Sequence, residues 1–574
     1  MTLDVEVAID TAGVLLTFNE AGVLDVSDIH VANRICALGK EPDNRVALAI
    51  ALLVRALRGG SVCVDLPTIA ATIDTDELPW PEPTEWLAAV RASPLLGEPA
   101  VLHLDDDRLL YLDRYWREEK QVCADLLGLL AAPQPAGLPD LTRLFPAGFE
   151  EQRAAAEIAL SQAVTVLTGG PGTGKTTTVA RLLALLAEQA EIAGRPRPRI
   201  ALSAPTGKAA ARLTEAVAIE VAKLDAADRA RLGELQAVTL HRLLGFKPGT
   251  SARFRHDRGN RLPHDVIVVD ETSMVSLTLM ARLLEAVRPD PRLILVGDAD
   301  QLASVEAGAV LADLVDGLSA RADVRVTALR TSHRFGESIG ALAAAIRVGD
   351  GDRVLGLLRS GDEHIAFIED DDPTAQLHSI LLPHALRLRE AAMLGAAGEA
   401  LAALAEHRLL CAHRRGPFGV AHWNRQVEKW LSEETGQPPW SEWYAGRPLL
   451  VMANDYGLRV YNGDTGVVIA APDGLRAVIA GATGPLDFAT SRLGDIETMH
   501  AMTIHKSQGS QADAVTVLMP PEDSRLLTRE LFYTAVTRAK EKVRVVGSEA
   551  SVRAGIGRRA LRATGLRQRL QSFG

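Results

Sequence analysis

The sequence predicts an α/β protein: two parallel-sheet domains, a small β-barrel inserted in the second, and a mostly helical region in front. Three observations carry this. From 150 to 335, the apolar runs "VTVL", "RIALSAP", "DVIVVDE", "RLILVGD" and "VRVTALR" alternate with helical stretches, as in a parallel sheet covered by helices. A second such region starts at "HRLLCAHRR" (407–415) and resumes at "AVTVLMP" and "KVRVVG". Between them, over about 445–498, β-prone runs flank the turn signals Asn462-Gly463-Asp464 and Pro472-Asp473-Gly474.

The elements follow in order. Residues 1–130 hold apolar-periodic runs near 28–38, 45–58 and 115–130, short strands such as "SVCVDL", and no chemical motif; a docking or structural domain is expected. The run "VALAIALLVRAL" (46–57) is too short to span a bilayer and contains Arg55, so it reads as a core helix. The N-terminus lacks a basic segment and carries acids throughout, unlike a signal peptide. Prolines and glycine in "AAPQPAGLPDL" mark a linker over 131–148. The domains then run 149–335 and 336–560. The 574 residues, 47% hydrophobic, suffice for roughly three or four domains. The net charge of −11 excludes a generally basic coat but not a basic channel. Cys36, Cys63, Cys123 and Cys411 form no metal-knuckle spacing and read as buried thiols of a reducing cytosol.

The chemistry starts at Gly169–Thr176, "GGPGTGKT". Gly169, Gly170, Pro171, Gly172, Thr173 and Gly174 let backbone N–H groups curl around phosphate oxygens at a helix N-terminus. Lys175 would pair with the β- and γ-phosphates of ATP, the Thr176 hydroxyl would ligate Mg²⁺, and Thr177 completes the turn. "VIVVDETS" (266–273) adds Asp270 to hold Mg²⁺ and Glu271 to polarise the attacking water. In "LILVGDADQLASVEAG" (293–308), Gln301 can contact the γ-phosphate and the water together. The spacing after the Asp-Glu pair points to an ATPase that couples hydrolysis to movement. Arg334 in "TSHRF" and Arg538 in "LFYTAVTRAKEKV" are candidates to meet transition-state charge.

With "EEQRAAAEIAL", "SAPTGKAAARL", "VTLHRLLG", "TIHKSQGSQADAV" and "YTAVTRAK" in fixed order, residues 150–550 resemble superfamily 1 helicases, specifically the RecD-like branch. The resemblance implies two RecA-like motor domains with ATP between them and an SH3-like barrel inserted in the second. It implies that Gln152 reads adenine and that Arg334 and Arg538 are arginine fingers. Thr206, Lys208, His241, Thr503, His505, Ser507 and Gln508 resemble contacts that track a DNA strand without reading sequence. Asn454 begins the barrel and would line the channel exit. The basic stretch 246–265 is either a hairpin wedge that splits duplex or a solvated loop.

Two forms of the branch compete. One is the RecD subunit of a RecBCD-type helicase–nuclease (exodeoxyribonuclease V), a cytoplasmic, nucleoid-associated 5′-to-3′ motor. The other is a longer standalone helicase. The short N-terminal region and "LYLDRYWREEKQV" (110–122) resemble the subunit form. That form implies RecB-like and RecC-like partners and single-stranded or end-frayed double-stranded DNA as substrate. No metal-binding nuclease cluster is apparent, so the nuclease would lie on another chain. A structural subunit that only binds ATP is the reading from a different class, and the intact hydrolytic set argues against it.

Overall fold

Two parallel sheets of mostly buried strands give this protein its architecture. The computed structural model describes residues 13–73, 78–132, 139–246, 253–331, 337–370, 372–436, 442–455, 457–481, 484–560 and 562–572. In the first motor, six strands pair in parallel, in the order Ala237–Thr239, Ile200–Ala204, Val266–Val269, Arg292–Gly297, Val164–Gly169 and Thr327–Leu329. All five expected strands are present, and Ala237–Thr239 is an additional edge. Val266–Val269 and Arg292–Gly297 are buried along their whole length, as an apolar run covered on both faces requires.

The second motor has a five-stranded parallel sheet, in the order Ile365–Ile368, Ala539–Val546, Ala512–Leu518, His407–Cys411 and Ala501–Thr503. It begins earlier than the run at 407 suggests. Ile365–Ile368 is an edge strand with three of its four residues only half-buried, so it lacks the long apolar run that marks its neighbours.

The insertion is a five-stranded antiparallel sheet, in the order Gly484–Ala489, Gly474–Gly481, Thr465–Ala471, Pro448–Val451 and Ile496–Thr498. Its core includes Leu449, Val451, Val468, Ala477 and Ile479. Among the described residues its outer strands share no ladder. Gly463 and Gly474 take φ of +94° and +121°, conformations open to glycine at the two predicted turns.

The N-terminal region is mostly helical, with a small three-stranded sheet. Helix Asn44–Arg58 buries every residue from Val46 to Leu53, and Asp43 caps it by accepting from the Arg45 N–H at 2.8 Å. Helix Asp113–Leu130 lies on Leu277–Ala286 of the first motor, where Gln121 donates to the Ala281 carbonyl at 3.0 Å. The four cysteines are buried and free. Among the described residues no helix is long and apolar enough to cross a membrane, and no His/Cys/Asp/Glu group could hold a metal ion by itself.

The C-terminus leaves the second motor and returns to the first. Helix Leu566–Ser572 packs between Val310–Ser319 and Asp113–Leu130. A side chain at Gly317 would come within 2.9 Å of Leu570, so the glycine permits this close approach. Glu119, fully buried, is the polar centre of the joint. It accepts from Tyr111 Oη at 3.0 Å, Thr564 Oγ1 at 2.7 Å and the Gly565 N–H at 3.0 Å, and pairs with Arg569 at 3.5 Å. Burial raises its pKa, and these donors oppose the rise. Removing a buried charge leaves its partners unsatisfied, so Glu119→Ala should lose about 3 kcal/mol. Urea unfolding checks this, and a loss below about 1 kcal/mol would show that Glu119 does not hold the joint.

Candidate active site

The strand Val164–Gly169 runs straight into the glycine-rich loop, and helix Lys175–Ile192 follows. Gly172 and Gly174 take φ of +81° and +84°, which is what lets the loop turn its backbone N–H groups inward. A Cβ on Gly169 would sit 2.7 Å from both the Leu329 carbonyl and Thr173 Oγ1. Thr173 Oγ1 donates to the Gly170 carbonyl at 2.9 Å, and Lys175 Nζ donates to the Gly169 and Gly170 carbonyls at 2.6 and 3.0 Å. Gln152, on helix Glu150–Ser161, is buried and donates to the Thr173 carbonyl at 3.4 Å.

The neighbouring strands deliver the acids. Asp270 follows Val266–Val269, its N–H bonded to the Ser203 carbonyl at 2.9 Å. Burial, then the charge of Glu271, push its pKa up to about 6, while Lys175 pulls the other way. Glu271 takes φ +51°, a strained backbone for a residue with a side chain. Gln301 follows Arg292–Gly297, is 6% exposed, and donates to Asp298 Oδ2 at 2.9 Å.

The second motor closes the site. Arg538 is 4% exposed; its Nε donates to the Thr534 carbonyl at 3.0 Å and its Nη2 to Thr537 Oγ1 at 3.2 Å. Burial lowers its pKa, and Glu271 and Asp298 counter that. A cavity of about 850 Å³ is lined by Gln152, Pro171, Gly172, Gly174, Lys175, Thr176, Thr177, Asp270, Glu271, Gln301 and Arg538. It thus brings together nearly the whole predicted set, from both motors. Arg334 lies outside the described residues. Asp298, Arg212 and Gln511 also line the cavity; each lies in a motif quoted above but was not singled out within it. Asp298, for example, sits two residues from Asp300 in the same "GDADQ".

The predicted strand-tracking residues divide. His241 is exposed, with its ring 5.9 Å from Phe246 and 5.8 Å from Phe254. Asn454 is exposed and its Oδ1 accepts from the Asn462 N–H at 2.9 Å. Thr206 Oγ1 caps its helix by accepting from the Ala209 N–H at 3.2 Å, and Thr503 Oγ1 accepts from the Lys506 N–H at 3.3 Å. His505 is half-buried, which lowers its pKa. The other three make internal contacts in this structure. Lys208 Nζ donates to the Gly463 carbonyl of the inserted sheet at 2.8 Å, and burial lowers its pKa to about 7. Ser507, 2% exposed, donates to the Ile504 carbonyl at 2.6 Å, and Gln508 Nε2 donates to the Leu302 carbonyl at 2.9 Å. Of the 246–265 stretch, 247–252 lie outside the described residues; Arg258 on its far side pairs with Asp125 at 2.7 Å.

Comparison with known proteins agrees with this arrangement. Residues 20–111 match the RecBCD enzyme subunit RecD N-terminal domain, 152–307 an AAA domain, and 498–546 a UvrD-like helicase C-terminal domain. The RecBCD enzyme subunit RecD of Mycobacterium tuberculosis is 77% identical over 571 residues, covering 100% of this chain and 99% of the relative. That of Mycolicibacterium smegmatis is 69% identical, covering 96% and 99%. The ATP-dependent RecD2 DNA helicase of Deinococcus radiodurans is 30% identical, covering 81% of this chain but 59% of its own length. Agreement with the subunit form runs end to end, and with the longer form it does not: the chain belongs to the RecD family of RecBCD enzyme subunits.

Proposed function

We propose that this chain is an ATP-dependent DNA helicase, moving 5′ to 3′ on single strands as one motor of a cytoplasmic, nucleoid-associated RecBCD-type complex that processes double-strand ends. RecB-like and RecC-like subunits would be its partners, and the inserted sheet would act as an SH3-like barrel at the channel exit. One observation carries the reading. Lys175, Asp270, Glu271 and Gln301 of the first motor line the same cavity as Arg538 of the second. A purely structural nucleotide site has no need of a hydrolytic set divided across two domains.

ATP is the substrate of this cleft. Lys175 exchanges its two carbonyl partners for phosphate oxygens, so its charge meets charged acceptors in place of neutral ones. Gln152 meets the base. Glu271 orients the attacking water and takes its proton, Gln301 holds that water against the γ-phosphate, and Arg538 receives the developing charge. The donor set fits Mg²⁺: Thr176 offers a hydroxyl and Asp270 a carboxylate whose burial makes a cation welcome. Bound there, Mg²⁺ would neutralise phosphate charge. Because Arg538 comes from the other motor, engagement of the γ-phosphate draws the motors together and release lets them part, which ratchets the strand.

Two outcomes test this. ATP hydrolysis by the full chain should rise with single-stranded DNA, and Lys175→Ala should reduce it about 100-fold. Unwinding of 5′-tailed over 3′-tailed duplex then reports polarity, and a folded, ATP-binding chain without hydrolysis would favour the structural reading. The second outcome concerns pH. Asp270 acts as its carboxylate, and its pKa stands at about 6. Protonation therefore removes activity as pH falls, and kcat/KM for ATP should decline on the acid side. A profile flat down to pH 5 would rule this out.

A further inference from the structure

The loop that carries Gln301 is held by the opposite motor at three points. Asp298, 2% exposed, accepts at Oδ2 from Gln301 Nε2 at 2.9 Å and from Tyr533 Oη at 3.1 Å. The Leu302 N–H donates to Thr534 Oγ1 at 2.9 Å, and the Leu302 carbonyl accepts from Gln508 Nε2 at 2.9 Å. Tyr533 and Thr534 lie on helix Arg529–Val536 of the second motor. The tyrosine hydroxyl also reaches the nucleotide loop, 3.0 Å from where a Cβ on Gly170 would stand.

One carboxylate oxygen thus serves two donors from two domains. The terminal torsion of an aspartate is soft, so its hydrogen bonds set its angle. The tyrosine fixes that angle from one side, and the Gln301 carboxamide reads it from the other. We propose that Tyr533 is a positioning residue for ATP hydrolysis, acting through Asp298 to orient the Gln301 amide toward the γ-phosphate and the attacking water. The ring of Tyr533 belongs to the apolar core of the second motor, and its hydroxyl bonds the acid that holds Gln301. The position of the second motor is thereby transmitted to the group that meets the reacting phosphate. Gln508 brings the predicted strand-tracking segment to the same loop.

This rests on the reading of the cleft as an ATPase. The test uses the full chain with ATP and single-stranded DNA. Tyr533→Phe keeps the ring and removes the hydroxyl. It should lower kcat about tenfold, while KM for ATP and affinity for ADP stay within about twofold, because misorientation affects the reacting geometry and not binding. In a Gln301→Ala background, Tyr533→Phe should cost nothing more, since the residue through which it acts is gone. An unchanged kcat, or the same tenfold loss in both backgrounds, would overturn the proposal. Should Tyr533→Phe fail to fold, Asp298→Asn perturbs the shared acceptor and enters the same comparison with Gln301→Ala. A wild-type chain that hydrolyses no ATP overturns the reading of the cleft and this inference with it. A wild type that does, beside an unaffected variant, overturns the inference alone.

Discussion

Every reactive group of the first motor stands at the carboxyl end of a parallel strand, and the rest of the site depends on that shared direction. Val164–Gly169, Val266–Val269 and Arg292–Gly297 run the same way in adjacent ladders. The glycine-rich loop, the Asp270–Glu271 pair and Gln301 therefore emerge at one edge, without any long-range search by side chains. An antiparallel arrangement of the same three strands would send one of these groups to the far side. The apolar content of the strands, which selects a parallel sheet covered by helices, is in this sense a cause of the chemistry.

That logic explains what could be read in advance. Strand ends, the loop glycines and the acids of the first motor follow from local runs with turn residues beside them, and they stand where expected. Ile365–Ile368 escaped because a half-buried edge strand has no long apolar run. Glu119 and Lys208 escaped for a different reason. A charged residue in a sequence reads as solvent-exposed, yet Glu119 is hydrogen-bonded by donors from the C-terminal segment and Lys208 by a carbonyl of the inserted sheet. These partners are hundreds of residues away, so no local pattern reports them. Tyr533 is the same kind of case: its hydroxyl meets an acid from another domain.

The chain crosses between the motors twice. It passes from the first to the second after Thr331 and returns at its C-terminus, where Arg558 bonds the Leu527 carbonyl of the second motor at 3.4 Å and Arg562 bonds the Gly308 carbonyl of the first at 3.2 Å. The N-terminal region is joined to the first motor by the same C-terminal helix. The N-terminal region is thus packed on the first motor both directly and through the C-terminal helix.

Hydrogen bonds join the two motors across the cleft, some between neutral groups and some with a charged donor or acceptor. Leu302 bonds Thr534 and Gln508, and Lys208 bonds the Gly463 carbonyl, contacts that hold the domains in register. Lys175 and Arg538 bond neutral oxygens of their own domains. On the function proposed above, a triphosphate would offer charged acceptors to both cations at once, and a cation–phosphate pair is stronger than the cation–carbonyl bond it would replace. Because the two cations stand on opposite motors, that difference appears only when the motors are together. The same nucleotide then favours the closed arrangement by its differential affinity alone. Loss of the γ-phosphate removes the shared acceptor, and each cation can return to the carbonyls of its own domain. On the function proposed above, coupling of chemistry to motion would need no additional element beyond the division of the site between two sheets.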